Sequence, residues 1–149
     1  MNKPFYTIVL FFLLICCLPQ AGVAQVQLVM VSNTADADEN FFSSLQGYLA
    51  TAPENTVLLI NGDITDGCDN RRDKKEDPLA NAGLLLDIIR ATPEVEAYLI
   101  PGDRDWDHSG KAGWDCVKAL EKFIEREDLP NLHWPLDKGC PGPEIVKLA

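Results

Sequence analysis

Histidine is nearly missing from this sequence. His108 and His133 are the only two, and neither stands in a metal-binding motif. Positive charge is also short: Lys and Arg total 13 against 23 Asp and Glu, a formal net charge of −10. So acidic a surface repels phosphate backbones, which excludes nucleic acid as a partner. Clustered carboxylates are what hard cations bind, so the same imbalance keeps a metal in view. The chain has no internal repeat and no low-complexity stretch. Past its first two dozen residues it has no run apolar enough to span a bilayer.

Those first residues have an order of their own. Lys3 precedes an apolar run from Phe5 to Leu18, then Pro19 and the small-residue end Gly22-Val23-Ala24. This is the order of a secretory signal peptide over residues 1–24, and the run is shorter than the ~20 apolar residues of a spanning helix. Cys16 and Cys17 do not make a lipoprotein site, because Ile15 and Cys16 precede them where a small residue is needed. The mature chain is therefore expected to be residues 25–149, one small exported domain of the periplasm, cell envelope or medium. Without Lys3 it carries 12 basic against 23 acidic residues, a net charge of −11. Cys68, Cys116 and Cys140 remain, an odd number in an exported chain. One disulfide and one free thiol are expected, with the pairing open.

Apolar runs and breakers then alternate. Val26 to Val31 reads as a strand, apolar enough to be buried on both faces. Asp38 caps a predicted helix over Glu39–Ala50, with Phe41, Phe42, Leu45, Tyr48 and Leu49 at helical spacing. Val57–Ile60 is a second strand. Asp77-Pro78 opens a second helix that carries Leu79, Leu85, Leu86, Ile88 and Ile89 and stops at Thr92-Pro93. Val95–Ile100 is a third strand. A third helix, Lys111–Arg126, has the stripe Trp114, Val117, Leu120, Phe123 and Ile124. Asn131–Pro143 reads as loop and Ile145–Leu148 as a fourth strand. The pattern β-α-β-α-β-α-β predicts an α/β fold with a parallel sheet.

In such a sheet the loops after the strands open at one edge. They carry Asn33 after the first strand, Asp63 and Asp66 after the second, and Asp103 and Asp105 after the third. Carboxylates and an amide gathered there suit Mg²⁺, Mn²⁺ or Ca²⁺ better than soft metals. A single Asp after a strand is an ordinary turn residue. Gly-Asp twice, each after a wholly apolar run, points to a site or to the remnant of one. Asp103, Asp105 and Asp107 also match the first three ligand positions of an EF-hand. That loop then needs Gly where His108 stands and Glu where Trp114 stands, so it is rejected.

Gly62-Asp63-Ile64-Thr65-Asp66 resembles the GDxxD block of the calcineurin-like metallophosphoesterases. Pro101-Gly102-Asp103-Arg104-Asp105-Trp106 resembles their PGNHDW block, and Leu136–Glu144 resembles a stretch of exported bacterial members. The resemblance implies the first half of a four-layer sandwich. It also implies two divalent ions (Mn, Fe, Zn or Mg) that activate hydroxide against a phosphoester substrate. It makes Asp63 the bridging ligand, puts Asn33 in the place of the first Asp ligand, and puts Asp103 in that of the ligand Asn. Arg104 stands where the family has the His that contacts phosphate and helps protonate the leaving group. Arginine keeps its proton near neutral pH and can only bind the anion. The family's later His ligands have no counterpart here.

The expectation is thus a metallophosphoesterase-family protein, truncated or catalytically degenerate as written. Membrane contact is expected only through the leader or through sequence beyond Ala149. The alternatives are a metal- or anion-binding module without turnover, or a structural or interaction protein of the cell envelope.

Overall fold

Three apolar runs become the strands that order the fold. The computed structural model of the protein describes residues 25–65, 79–106 and 110–134. Strands β1 (Gln27–Val31), β2 (Thr56–Asn61), β3 (Glu96–Ile100) and β4 (Leu132–His133) form one sheet in the order β1-β2-β3-β4. Every pairing is parallel, with Gln27 opposite Thr56, Val57 opposite Glu96, and Ala97 opposite Leu132. Between the strands lie α1 (Glu39–Leu49), α2 (Ala80–Ala91) and α3 (Lys111–Glu125), with a single 3₁₀ turn at Thr34–Asp36. The chain is α/β with crossover helices, as the pattern of runs and breakers predicts.

The strand order decides where the helices go. Each crossover steps to the next strand in the same direction, and crossovers of this kind are right-handed, so all three helices fall on one face. Val29, Leu58, Ile60, Ala97 and Leu99 point to that face. They join one core with Phe42 and Leu45 of α1, Leu85 and Ile89 of α2, and Leu120 and Ile124 of α3.

The opposite face carries Leu28, Met30, Leu59, Tyr98 and His133, none of them in that core. Here β1 departs from its expected burial: Leu28 is 51% and Met30 57% exposed. The strand is apolar on both sides, but it stands at the sheet's edge and helices cover only one side of it. His133 stacks on the Tyr98 ring at 4.6 Å and pairs with Glu96, as a packing and surface residue would.

The local signals explain most boundaries. Asp38 caps α1 by accepting the Phe41 N–H at 2.9 Å. Phe42, Leu45 and Leu49 are buried, whereas Tyr48 lies half exposed outside the core. Thr92 ends α2 by turning its hydroxyl back to donate to the Ile88 carbonyl at 2.9 Å. The expected cap at Asp77-Pro78, the expected strand at Ile145–Leu148 and the expected leader at residues 1–24 fall outside the described residues.

β4 is the second departure, a strand where the sequence reads as loop. Two residues are too few to carry a period, and the strand is set by the residue before it. Asn131 is buried, its carbonyl accepts the Ala97 N–H at 2.8 Å, and its side-chain amide donates to three carbonyls. These are Ile89 (3.2 Å), Thr92 (3.2 Å) and Val95 (2.9 Å). One amide thus ties the end of α2 to the start of β3 and to β4.

Replacing it should be costly. Asn131→Ala removes the side-chain donor from three carbonyls, of which Ile89 and Thr92 keep a backbone N–H, and should lower unfolding free energy by about 1–3 kcal/mol, read as a shift in urea midpoint. Asn131→Asp, which turns oxygens toward the same carbonyls, should cost more than Asn131→Ala.

Candidate functional site

At the carboxyl ends of β1, β2 and β3 the chain leaves the sheet through three loops that are stitched to one another. After β1, Asn33 takes the left-handed conformation, φ 55°. After β2, Gly62 (φ 81°) and Asp63 (φ 52°) do the same in succession. Asn and Asp are among the few residues that tolerate this region, which is why they serve here. The turns let the backbones bond across the gap. Asn33 N–H donates to the Gly62 carbonyl at 3.1 Å, and Ala35 N–H to the Asp63 carbonyl at 2.8 Å. Gly62 N–H donates to the Ile100 carbonyl, also at 2.8 Å.

Gly102 is needed for a steric reason. A Cβ there would lie 2.4 Å from Asp63 Oδ1, 2.5 Å from Asp63 N and 2.7 Å from Gly62 Cα. The two Gly-Asp turns therefore touch backbone to backbone.

Asp105 locks them in place. It is 1% exposed, and its two carboxylate oxygens accept four bonds. Oδ2 takes Ile64 N–H (3.1 Å) and Gly102 N–H (2.8 Å), while Oδ1 takes the Thr65 N–H (2.7 Å) and hydroxyl (2.9 Å). A buried carboxylate is costly unless its lone pairs are filled in this way. With its oxygens so occupied, Asp105 positions the loops and is not a ligand donor.

Arg104, next to it, faces the opening. Its backbone N–H donates to Asp63 Oδ1 at 3.3 Å. Its guanidinium donates to Asn33 Oδ1 at 3.1 Å and forms a two-point pair with Asp36, at 2.5 and 3.2 Å. The hydrogen bond to Asp36 holds the guanidinium above its ordinary pKa, against a desolvation that lowers it, and the charges of Asp36, Asp63 and Asp103 add to the rise. Arg104 is therefore held in its cationic form.

Of the residues the sequence points to, Asn33, Asp63 and Arg104 meet at this mouth. Asp103 is exposed and acts on the others through its field on Arg104. Asp66, Asp107 and His108 lie outside the described residues. Two participants escape a sequence reading. Asp36 reads as one polar loop residue among several, and only the fold shows that Arg104 comes to it from the third loop. Asn81 sits in α2 and sends its amide to the carbonyls of Thr34 (3.0 Å), Ala35 (2.8 Å) and Ala37 (3.2 Å), pinning the first loop. No motif signals it.

The implied pair of divalent ions does not fit this donor set. The oxygens of Asn33, Asp63 and Asp103 are hard donors of the right kind. A guanidinium already bonds two of the loop's oxygen-bearing side chains, and among the described residues no group of three or more His, Cys, Asp or Glu is arranged to hold a metal. The chain also matches no family model, no curated protein and no solved structure.

The edge is rigid enough to be tested by small changes. Gly102→Ala must push apart backbone atoms of Gly62 and Asp63 as well as the Asp63 carboxylate, and should destabilise by about 1–3 kcal/mol. Asp105→Asn presents an amide N–H₂ to groups that are themselves donors and should cost about 3 kcal/mol. Urea unfolding followed by circular dichroism reads both.

Proposed function

We propose that this chain is an exported protein of the calcineurin-like metallophosphoesterase family that no longer turns over phosphoesters. The observation that supports the family reading is the meeting of Asn33, Asp63 and Arg104 at three adjacent strand ends, with the two Gly-Asp turns in backbone contact. The matching blocks of the sequence lie on those turns. Export is supported by the disulfide at Cys116, whose partner is outside the described residues, since such bonds persist in oxidising compartments. No helix among the described residues is long and apolar enough to cross a membrane.

The loss of turnover follows from the residues. Hydrolysis of a phosphoester needs a nucleophile generated near neutral pH and a donor for the leaving oxygen. Arg104 stands where the resemblance puts that donor and cannot release its proton in the working range. Its side chain is also committed to Asn33 and Asp36. The carboxylate of Asp105, the best placed alternative, is consumed by four structural bonds. A phosphoester could meet positive charge here, but neither Arg104 nor the buried Asp105 can carry the proton to the leaving oxygen.

The test is hydrolysis of a phosphomonoester and a phosphodiester by the purified protein with Mn²⁺, beside Asp63→Ala. The expected rates are the same for both proteins. A Mn²⁺-dependent rate that disappears in Asp63→Ala would show a working enzyme and overturn the reading.

A further inference from the structure

β1 stands at the end of the strand order, and on its outer side no described strand meets it. Its pairing with β2 fixes which backbone groups face outward. Gln27 N–H donates to the Asn55 carbonyl at 3.0 Å, and Gln27, Val29 and Val31 lie opposite Thr56, Leu58 and Ile60. Along a strand the backbone groups of successive residues point to alternate sides. With Gln27 turned toward β2, the N–H and carbonyl of Leu28 and of Met30 point to the outer side.

The side chains of the same two residues are the exposed ones of β1 and lie on the face away from the helices. The run from Val26 to Val31 is also free of charge, in a chain whose net charge is −10. Over most of their surface two copies of this chain repel one another. Along this run they can approach without opposing charges.

We propose that two copies of this chain join through β1, antiparallel about a two-fold axis at Val29, into one continuous sheet. A two-fold contact must be complementary to itself, and β1 has a register that is. With Val29 opposite Val29 of the second copy, Leu28 lies opposite Met30 of the second copy, and Met30 opposite its Leu28. In both pairs the outward backbone groups face one another, so each pair exchanges two hydrogen bonds. The two exposed apolar side chains then cover each other at about 5 Å between Cβ atoms. A slip of one residue sets outward groups against inward ones. A slip of two places Leu28 or Met30 opposite itself and leaves the other facing Ser32 or Val26, outside the strand. The inference stands apart from the phosphoesterase reading, because no residue of the sheet's mouth takes part.

The experiment is sedimentation velocity on the full-length mature protein and its variants, from about 1 to 100 μM, a span that covers a contact of micromolar strength. The buffer holds about 0.15 M salt, which screens surface charge beyond about 8 Å. Native protein should pass from monomer to twice that mass as concentration rises. Leu28→Lys puts a charge opposite Met30 of the second copy, and Met30→Pro removes an outward N–H while sparing the bonds to β2. Both should stay monomeric throughout with an unchanged circular dichroism spectrum, and a folding defect in one leaves the other to decide. Under oxidation Val29→Cys should give a disulfide-linked dimer above the level of native protein, and Leu28→Cys should not. A native protein still monomeric at about 100 μM would overturn the inference. So would a dimer that persists in both edge variants, or one that Val29→Cys does not cross-link.

Discussion

Everything at the open end of this fold depends on the buried carboxylate of Asp105. Four donors from two loops converge on it, and they include the backbone N–H groups of Ile64, Thr65 and Gly102. Those groups belong to turns that leave β2 and β3 and would otherwise end with unpaired backbone donors. Unpaired donors out of reach of water are among the more expensive defects a fold can carry. By filling them, Asp105 lets the Gly62-Asp63 and Gly102-Asp103 turns approach until glycine is the only residue Gly102 can be. The left-handed turns at Asn33 and Asp63 then set the first loop against the second. The mouth is built from backbone outward, and the half-buried side chain of Arg104 and the exposed one of Asp36 are its last layer.

The second constraint is the handedness of the crossovers. A strand order that runs in one direction places α1, α2 and α3 on the same side, and among the described residues the core cluster forms there, while Val57 is buried on the other side. Asn81 and Asn131 exploit this arrangement. Each sends one amide to three carbonyls, Asn81 from α2 to the loop after β1, and Asn131 from the start of β4 back to the end of α2. Pinning carbonyls of irregular segments is what allows the connections to be short without leaving acceptors bare.

Much of this was legible in the residues. The unbroken apolar run Val57–Ile60 and the run Val95–Ile100, interrupted only by Glu96, announce strands. Asp38 announces a helix start, and Gly62-Asp63 and Gly102-Asp103 announce turns at one edge. What was not legible depends on three-dimensional partners. β1 is as apolar as β2, and nothing in Leu28 or Met30 says that a helix covers one side only. That follows from strand order. Leu132–His133 is too short to show a period and exists because Asn131 is held. Asp105 looks like a third acidic ligand on alternate positions until its four donors are found. Arg104 and Asp36 are 68 positions apart, and no spacing rule joins them.

The one-sided core has a consequence for how this protein keeps company with itself. β1 pairs with β2 along one edge, and its other edge meets no described strand. The segment Val26-Gln27-Leu28-Val29-Met30-Val31 holds no charge, proline or glycine, and Val26, Leu28 and Met30 face outward. An uncharged, β-prone run of six residues on an edge that meets no described strand is a template on which strands of other molecules add. The chain offers no gatekeeper within that run. Its protection lies elsewhere, in the excess of acid over the rest of the surface, which keeps molecules apart by repulsion. Colloidal behaviour should therefore follow ionic strength: at low salt the acidic field holds the edges apart, and screening it exposes β1 to its neighbours.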